Sequence, residues 1–204
     1  MSKLTPTASG VAAEHPEIID GLEKVSGELV GLSYVQNTDI QVPPHGPPKD
    51  PIAIVGLRQS GLDPRTIELI GRLPCFTNDI IHEQQNLTGS QNGILVAPRS
   101  AATSYLLDTD LSDGSRNTGS DELLPSSAFQ IAKAVSSHGW NLADDLETKT
   151  IIKWLQGGWQ NREQLAINTF FDVWTQKLRS QEWRPRKTTS GWIIEQQFVH
   201  GGGN

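Results

Sequence analysis

An α+β domain is predicted by two different periodicities within one chain. Ile18, Leu22, Val25, Leu29 and Leu32 recur at steps of three and four with Asp20, Glu23, Lys24 and Glu28 between them, the stripe of a helix with one buried face. Short apolar runs, Ile94-Leu95-Val96 and Trp192-Ile193-Ile194, have the length of strands, and Asn92-Gly93 and Pro98 border the first of them. The chain has 204 residues, 36% hydrophobic, which is enough for one core and fits one domain. The expected arrangement is a small mixed sheet formed by the segments at Ile52, Gly93 and Trp192, an N-terminal helix, and a helical, tryptophan-rich C-terminal section. Residues 14–199 form the expected domain, with flexible ends at 1–13 and 200–204.

Each element has its own local reason. Pro16 sits in the first turn of the N-terminal helix, where its missing N–H costs nothing, and Glu14 and Glu17 suit the positive helix end. Residues 37–51 hold Pro43, Pro44, Pro47, Pro48 and Pro51, so they are expected as an extended arm, neither helix nor central strand. Residues 52–57, an apolar run, read as a strand, although a run this short is equally compatible with a buried helical turn. Asp63-Pro64 supplies a cap and a proline at the first helical position for a short helix through Ile67, Leu69, Ile70 and Leu73, stopped by Pro74. Residues 77–83 are expected as a strand and 108–122, almost all Asp, Ser, Gly, Asn and Thr, as a mobile loop.

Three helices are expected in the last third. The first runs through Phe129, Ile131, Ala132 and Val135 to His138-Gly139, and the second, capped by Asp144-Asp145, through Leu146, Ile151, Ile152, Trp154 and Leu155. The third is capped by Asn161 and carries Ile167, Phe170, Phe171, Trp174 and Leu178. All six tryptophans lie after residue 139, so this part is expected to supply much of the core.

Residues 54–64, Ile-Val-Gly-Leu-Arg-Gln-Ser-Gly-Leu-Asp-Pro, with the helix that follows and the Gly158-Trp159 to Trp174 stretch, resemble uncharacterised intracellular proteins of filamentous fungi. The resemblance implies an intracellular single domain and carries no activity with it.

Charge and composition remove several function classes. The net charge is −6, which disfavours broad binding to nucleic acid or anionic membranes, because phosphate affinity comes from neutralising Lys and Arg. That charge is uneven: residues 1–125 carry 8 basic and 16 acidic side chains, residues 126–204 carry 9 and 7. No apolar run approaches the ~18 residues of a membrane span, and residues 1–13 contain no apolar signal-peptide core, so a cytoplasmic location is expected. A single cysteine, Cys75, excludes an internal disulfide and a thiolate-rich metal centre, and Leu73-Pro74 and Phe76 give it an apolar, structural setting.

Two segments suit docking. Pro44-His45-Gly46-Pro47-Pro48-Lys49 has the PxxP spacing of a polyproline ligand with a following cation, the pattern that aromatic grooves read; a stiff surface linker explains the same prolines. Trp183 lies among Arg184, Arg186 and Lys187, an indole interleaved with cations that suits an interface hot spot, against the plainer reading of a helix end charged to complement its dipole.

Catalytic templates match poorly. No two of the five histidines stand at i, i+4, and no phosphate-binding glycine loop or serine elbow occurs. Asp144, Asp145 and Glu147 are better read as helix-start charges than as a cation site. The leading expectation is therefore a non-catalytic intracellular adaptor with a protein partner, needing neither cofactor nor metal, that docks through Trp183, Arg184, Arg186 and Lys187 and through Pro44, Pro47 and Lys49. The alternative is a cofactor-independent lyase, isomerase or hydrolase acting on a small organic molecule, with His82, Asp79 or His138 as general base.

Overall fold

The structure is a computed structural model, and it describes residues 10–42, 54–77, 79–81, 94–103, 116, 118–135, 138–155, 157–188 and 191–197. In chain order the elements are α1 (Val11–Glu14), α2 (Pro16–Gly31), a 3-10 turn (Asn37–Asp39), β1 (Ile40–Gln41), α3 (Ile54–Gln59), α4 (Pro64–Ile70), β2 (Cys75–Phe76), β3 (Leu95–Ala97) and β4 (Ser100–Ala102). There follow β5 (Ala128–Ala134), β6 (Trp140–Asp145), β7 (Thr150–Leu155), a 3-10 turn (Trp159–Asn161), β8 (Glu163–Ala166), α5 (Ile167–Arg179), β9 (Trp183–Thr188) and β10 (Gly191–Gln196). The fold is α+β. Strands β3 to β8 form a six-stranded sheet in chain order, and β1–β2 and β9–β10 are separate two-stranded ribbons. Among the described residues every pairing is antiparallel, where the sequence led us to expect a mixed sheet.

The central sheet is covered on both faces. On one face Phe129, Ile131, Leu142 and Ile151 pack against Ile18, Val25 and Leu29 of α2 and Ile167, Phe171, Trp174 and Leu178 of α5, forming the main core. The other face carries a second cluster, in which Ala128, Ala143, Ile152 and Trp154 meet Leu124 and Trp159. Side chains alternate along a strand, so Leu142 and Ala143, or Ile151 and Ile152, serve different clusters.

Burial on both faces explains two corrections. The stretch expected as a helix through Phe129, Ile131 and Ala132 is the strand β5 (Ala128–Ala134): a bulge between Gln130 and Ala132 interrupts the strand alternation, and the apolar spacing it leaves imitates a helical one. The helix expected after Asp144-Asp145 is the β6–β7 hairpin. Asp145 Oδ1 accepts from the Glu147 N–H at 3.1 Å and the Ser127 hydroxyl at 2.8 Å, and Oδ2 from the Thr148 hydroxyl at 2.8 Å, so an aspartate that resembles a helix cap closes a turn. Lys149 completes that turn at φ 54. The C-terminal section is thus mainly strands with one helix, α5, which Ala166 rather than Asn161 precedes.

Other expectations divide. The N-terminal amphipathic helix is formed, as α2, and the strand expected at Gly93 is formed over Leu95–Ala97, as β3, Gly93 itself lying outside the described residues. The segment at Ile52 is helical where described, with Leu57 fully buried and Val55 66% exposed, the one-sided burial of a helical turn. Its described residues contribute no strand to the sheet. The Trp192 segment forms β10, in its own ribbon beside β3. Asp79 to Ile81 are helical, with the Ile81 N–H on the Thr77 carbonyl at 3.3 Å, so the strand expected over 77–83 is not formed there. Within 1–13, Val11 and Ala12 are buried, so α1 belongs to the domain. Within 37–51, Ile40–Gln41 pair with Cys75–Phe76; residues 43–51, like 200–204, lie outside the described residues.

The end of the expected loop 108–122 is tied down. Arg116 donates to the carbonyls of Leu124 at 2.7 Å and Gly61 at 3.2 Å, and Thr118 is buried. Trp154 Nε1 donates to the Thr118 carbonyl at 3.0 Å and Trp159 Nε1 to Glu122 Oε2 at 2.6 Å, which straps residues 118–124 across the second sheet face.

The cap of α4 gives a direct test. Asp63 accepts from the Thr66 N–H at 2.8 Å and from its hydroxyl at 3.0 Å. Asp63→Ala is expected to cost about 1 kcal/mol in urea unfolding, as the loss of a helix cap does; an unchanged midpoint would remove the cap as the reason for this helix start.

Candidate functional site

The basic-aromatic segment is a strand that sorts its residues onto two faces. The chain leaves α5 through Gln181 at φ 59 and enters β9, where Trp183 pairs with Gln196, Arg184 with Glu195, Pro185 with Ile194 and Arg186 with Ile193. Proline is tolerated here because a two-stranded ribbon leaves one edge of each strand without ladder bonds. Trp183 turns inward and is only 4% exposed, its ring centroid 5.6 Å from that of Trp140 and 6.5 Å from that of Trp174. Lys177 Nζ lies 5.5 Å from the Trp183 ring centroid and is ion-paired to Glu182. The expectation of an exposed Trp183 hot spot is therefore corrected: it anchors the ribbon to the core, as does Ile194 beside it.

Arg184 and Arg186 turn the other way and are exposed. Arg186 Nη2 reaches Glu195 Oε1 at 2.6 Å, a diagonal pair across the ribbon, and that hydrogen bond holds the guanidinium more firmly protonated. Lys187 lies on β9 opposite Trp192. Pro44, Pro47 and Lys49 lie outside the described residues.

The two candidate bases that are described, Asp79 and His138, stand exposed on separate turns. Asp79 is exposed on the helical turn after β2, His138 is exposed in the turn between β5 and β6, and His82 lies outside the described residues. A pocket of about 50 Å³ does lie between α2, α5, the β2 segment and the β3–β5 side of the sheet, with Val25, Cys75, Val96, Ile131 and Trp174 in its wall. Among the described residues its polar side chains are Ser26, Cys75 and Thr103, with no imidazole or carboxylate. Cys75 is half-buried at this wall, a more open position than a core cysteine.

Sequence reasoning missed a group of buried ionisable residues where α1, α2 and β6 meet. Asp144 is 0% exposed, and neither of its carboxylate oxygens has a hydrogen-bond partner among the described residues. Burial, then the charges of Asp145 and Glu17, push its carboxyl up to about 8. Glu17 Oε2 and Nδ1 of the buried His15 are likewise buried and unpartnered among the described residues. Burial lowers the His15 imidazole below its ordinary value, and Lys149 and Arg65 add to the effect. Among the described residues no group of three His, Cys, Asp or Glu side chains is placed to hold a metal ion, and no helix is long and apolar enough to cross a membrane.

No family model, curated protein or solved structure matches the chain.

Proposed function

We propose that the chain is a non-catalytic intracellular binding module, an adaptor that docks a protein partner on the outer face of the β9–β10 ribbon. One observation carries this reading. The inner face of the ribbon is fixed in the core by Trp183 and Ile194, while Arg184 and Arg186 stand exposed on its outer face. Arginines on a rigid element lose less freedom on binding, and their planar donor forks suit carboxylates, so the partner segment is acidic. Among the described residues the pocket wall presents no imidazole or carboxylate, the general base that the lyase, isomerase or hydrolase alternative requires.

Affinity capture from cell extract, read by mass spectrometry, tests the reading with wild type and the Arg184→Ala/Arg186→Ala double variant. At least a tenfold loss of one acidic partner is expected in the variant, at an unchanged melting temperature. Equal capture by both proteins would reject the ribbon as the docking face. Pro44→Ala/Pro47→Ala then reports whether residues 43–51 contribute.

A further inference from the structure

The corner where α1 and α2 meet the sheet has the chemistry of a proton-dependent latch. Asp144 projects from β6 toward the helical face of the sheet, on the side of Leu142, and its neighbours in register are Phe129 on β5 and Ile151 on β7. Neither brings a cation or a hydrogen-bond donor on its side chain. The helix above brings Glu17, a second acid, and the next residue along β6 is Asp145, whose oxygens are occupied by Ser127, Glu147 and Thr148.

The cations of this corner are engaged elsewhere. Arg65 on α4 pairs with Glu14, and Lys149 Nζ donates to the Glu14 carbonyl at 3.2 Å. A carboxylate buried without a donor or counter-ion is strongly disfavoured, so the group stays neutral or its surroundings open to water.

The geometry points to Asp144 as a latch that holds α1 and the first turn of α2 on the sheet while its carboxyl is protonated and releases them when it ionises. The proton passes to solvent, and the negative charge left behind faces Glu17 in a site that offers it no donor.

The direction follows from linkage. An aspartate in the opened corner regains its ordinary value of 3.8, whereas the docked one titrates at about 8, so the contribution of Asp144 to docking is full below pH 4, weakens up to about pH 8 and levels off above. His15 acts in the opposite sense: burial in the docked corner disfavours its charged form, so it weakens docking as pH falls below its ordinary 6.5. Glu14 and Glu17 bear on it as well as Lys149 and Arg65. The interval from pH 6.5 to 8 therefore isolates Asp144.

Amide hydrogen exchange of residues 11–20 in the full chain, corrected for the intrinsic pH dependence of exchange, reads the latch. Wild-type protection is expected to fall roughly tenfold between pH 6.5 and 7.5, the change for one linked proton, and to flatten above pH 8. Asp144→Asn, neutral at every pH, is expected to hold constant protection over the same range. Constant protection in wild type, or an equal fall in Asp144→Asn, overturns the latch. Should Asp144→Asn fail to fold, carboxyl carbon NMR of wild type decides: an Asp144 already ionised at pH 6.5 overturns the proposal, and a protonated one supports it.

Discussion

Trp154→Ala is expected to lose about 3–5 kcal/mol of stability, the range for truncating a large buried aromatic. Trp154 is 2% exposed at the centre of the second cluster, T-shaped against Trp159 with ring centroids 5.1 Å apart. Its Nε1 also carries the 3.0 Å bond to the Thr118 carbonyl, so truncation opens a cavity and leaves that buried acceptor unpaired. For a domain this size the melting temperature falls by roughly 10 °C. The effect has a local signature, because residues 118–124 are held over the sheet by Trp154, Trp159 and Arg116. Trypsin is expected to cut at Arg116 far faster in the variant than in wild type. Trp154→Phe, which keeps most of the packing and loses the donor, is expected to cost about 1–2 kcal/mol. Urea unfolding checks all three proteins, and a loss below about 1 kcal/mol in Trp154→Ala would mean that the second cluster contributes little to stability.

The sequence was legible where one face of an element is buried and the other is wet. The stripe on α2, the cap at Asp63 and the apolar face of α5 from Ile167 to Leu178 each have a single explanation in local physics. It was misleading where both faces are covered. On β5 to β7 the residues serving the two clusters run together, and with the bulge at Gln130 and Ala132 the pattern fits a helix as well as a strand.

The proposed site residues divide along the same line. Arg184 and Arg186 were identified by chemistry alone; that Trp183 faces away from them follows only once residues 183–188 are known to be a strand. Asp144 was hidden because Asp144-Asp145 also reads as a helix start, and Glu17 because an acid in the first turn of a helix needs no further explanation. Only the meeting of α2 with β6, which is far apart in sequence, brings those two acids together.

Two glycines of α2 are expected to respond to the same substitution with opposite signs. A Cβ on Gly21 would lie 2.3 Å from Phe171 Cδ2 and 2.4 Å from Cγ, well inside contact distance. The ring has no room to yield: it is stacked on Trp174 at 5.9 Å with an interplanar angle of 4°, and Phe170 meets it edge-on at 5.4 Å. Gly21→Ala must therefore push α2 away from α5, and is expected to cost about 2–3 kcal/mol even after the ~1 kcal/mol that alanine gains over glycine in a helix. Nothing lies within 4 Å of a Cβ on Gly27, which stands on an exposed face of the same helix, so there only the helix preference acts. Gly27→Ala is expected to stabilise by about 0.5–1 kcal/mol. Denaturant midpoints of the two single variants check the pair. Should both stabilise, Gly21 would not mark the close approach of the two helices, and the stacked Phe171 would have a freedom that its two aromatic neighbours ought to deny it.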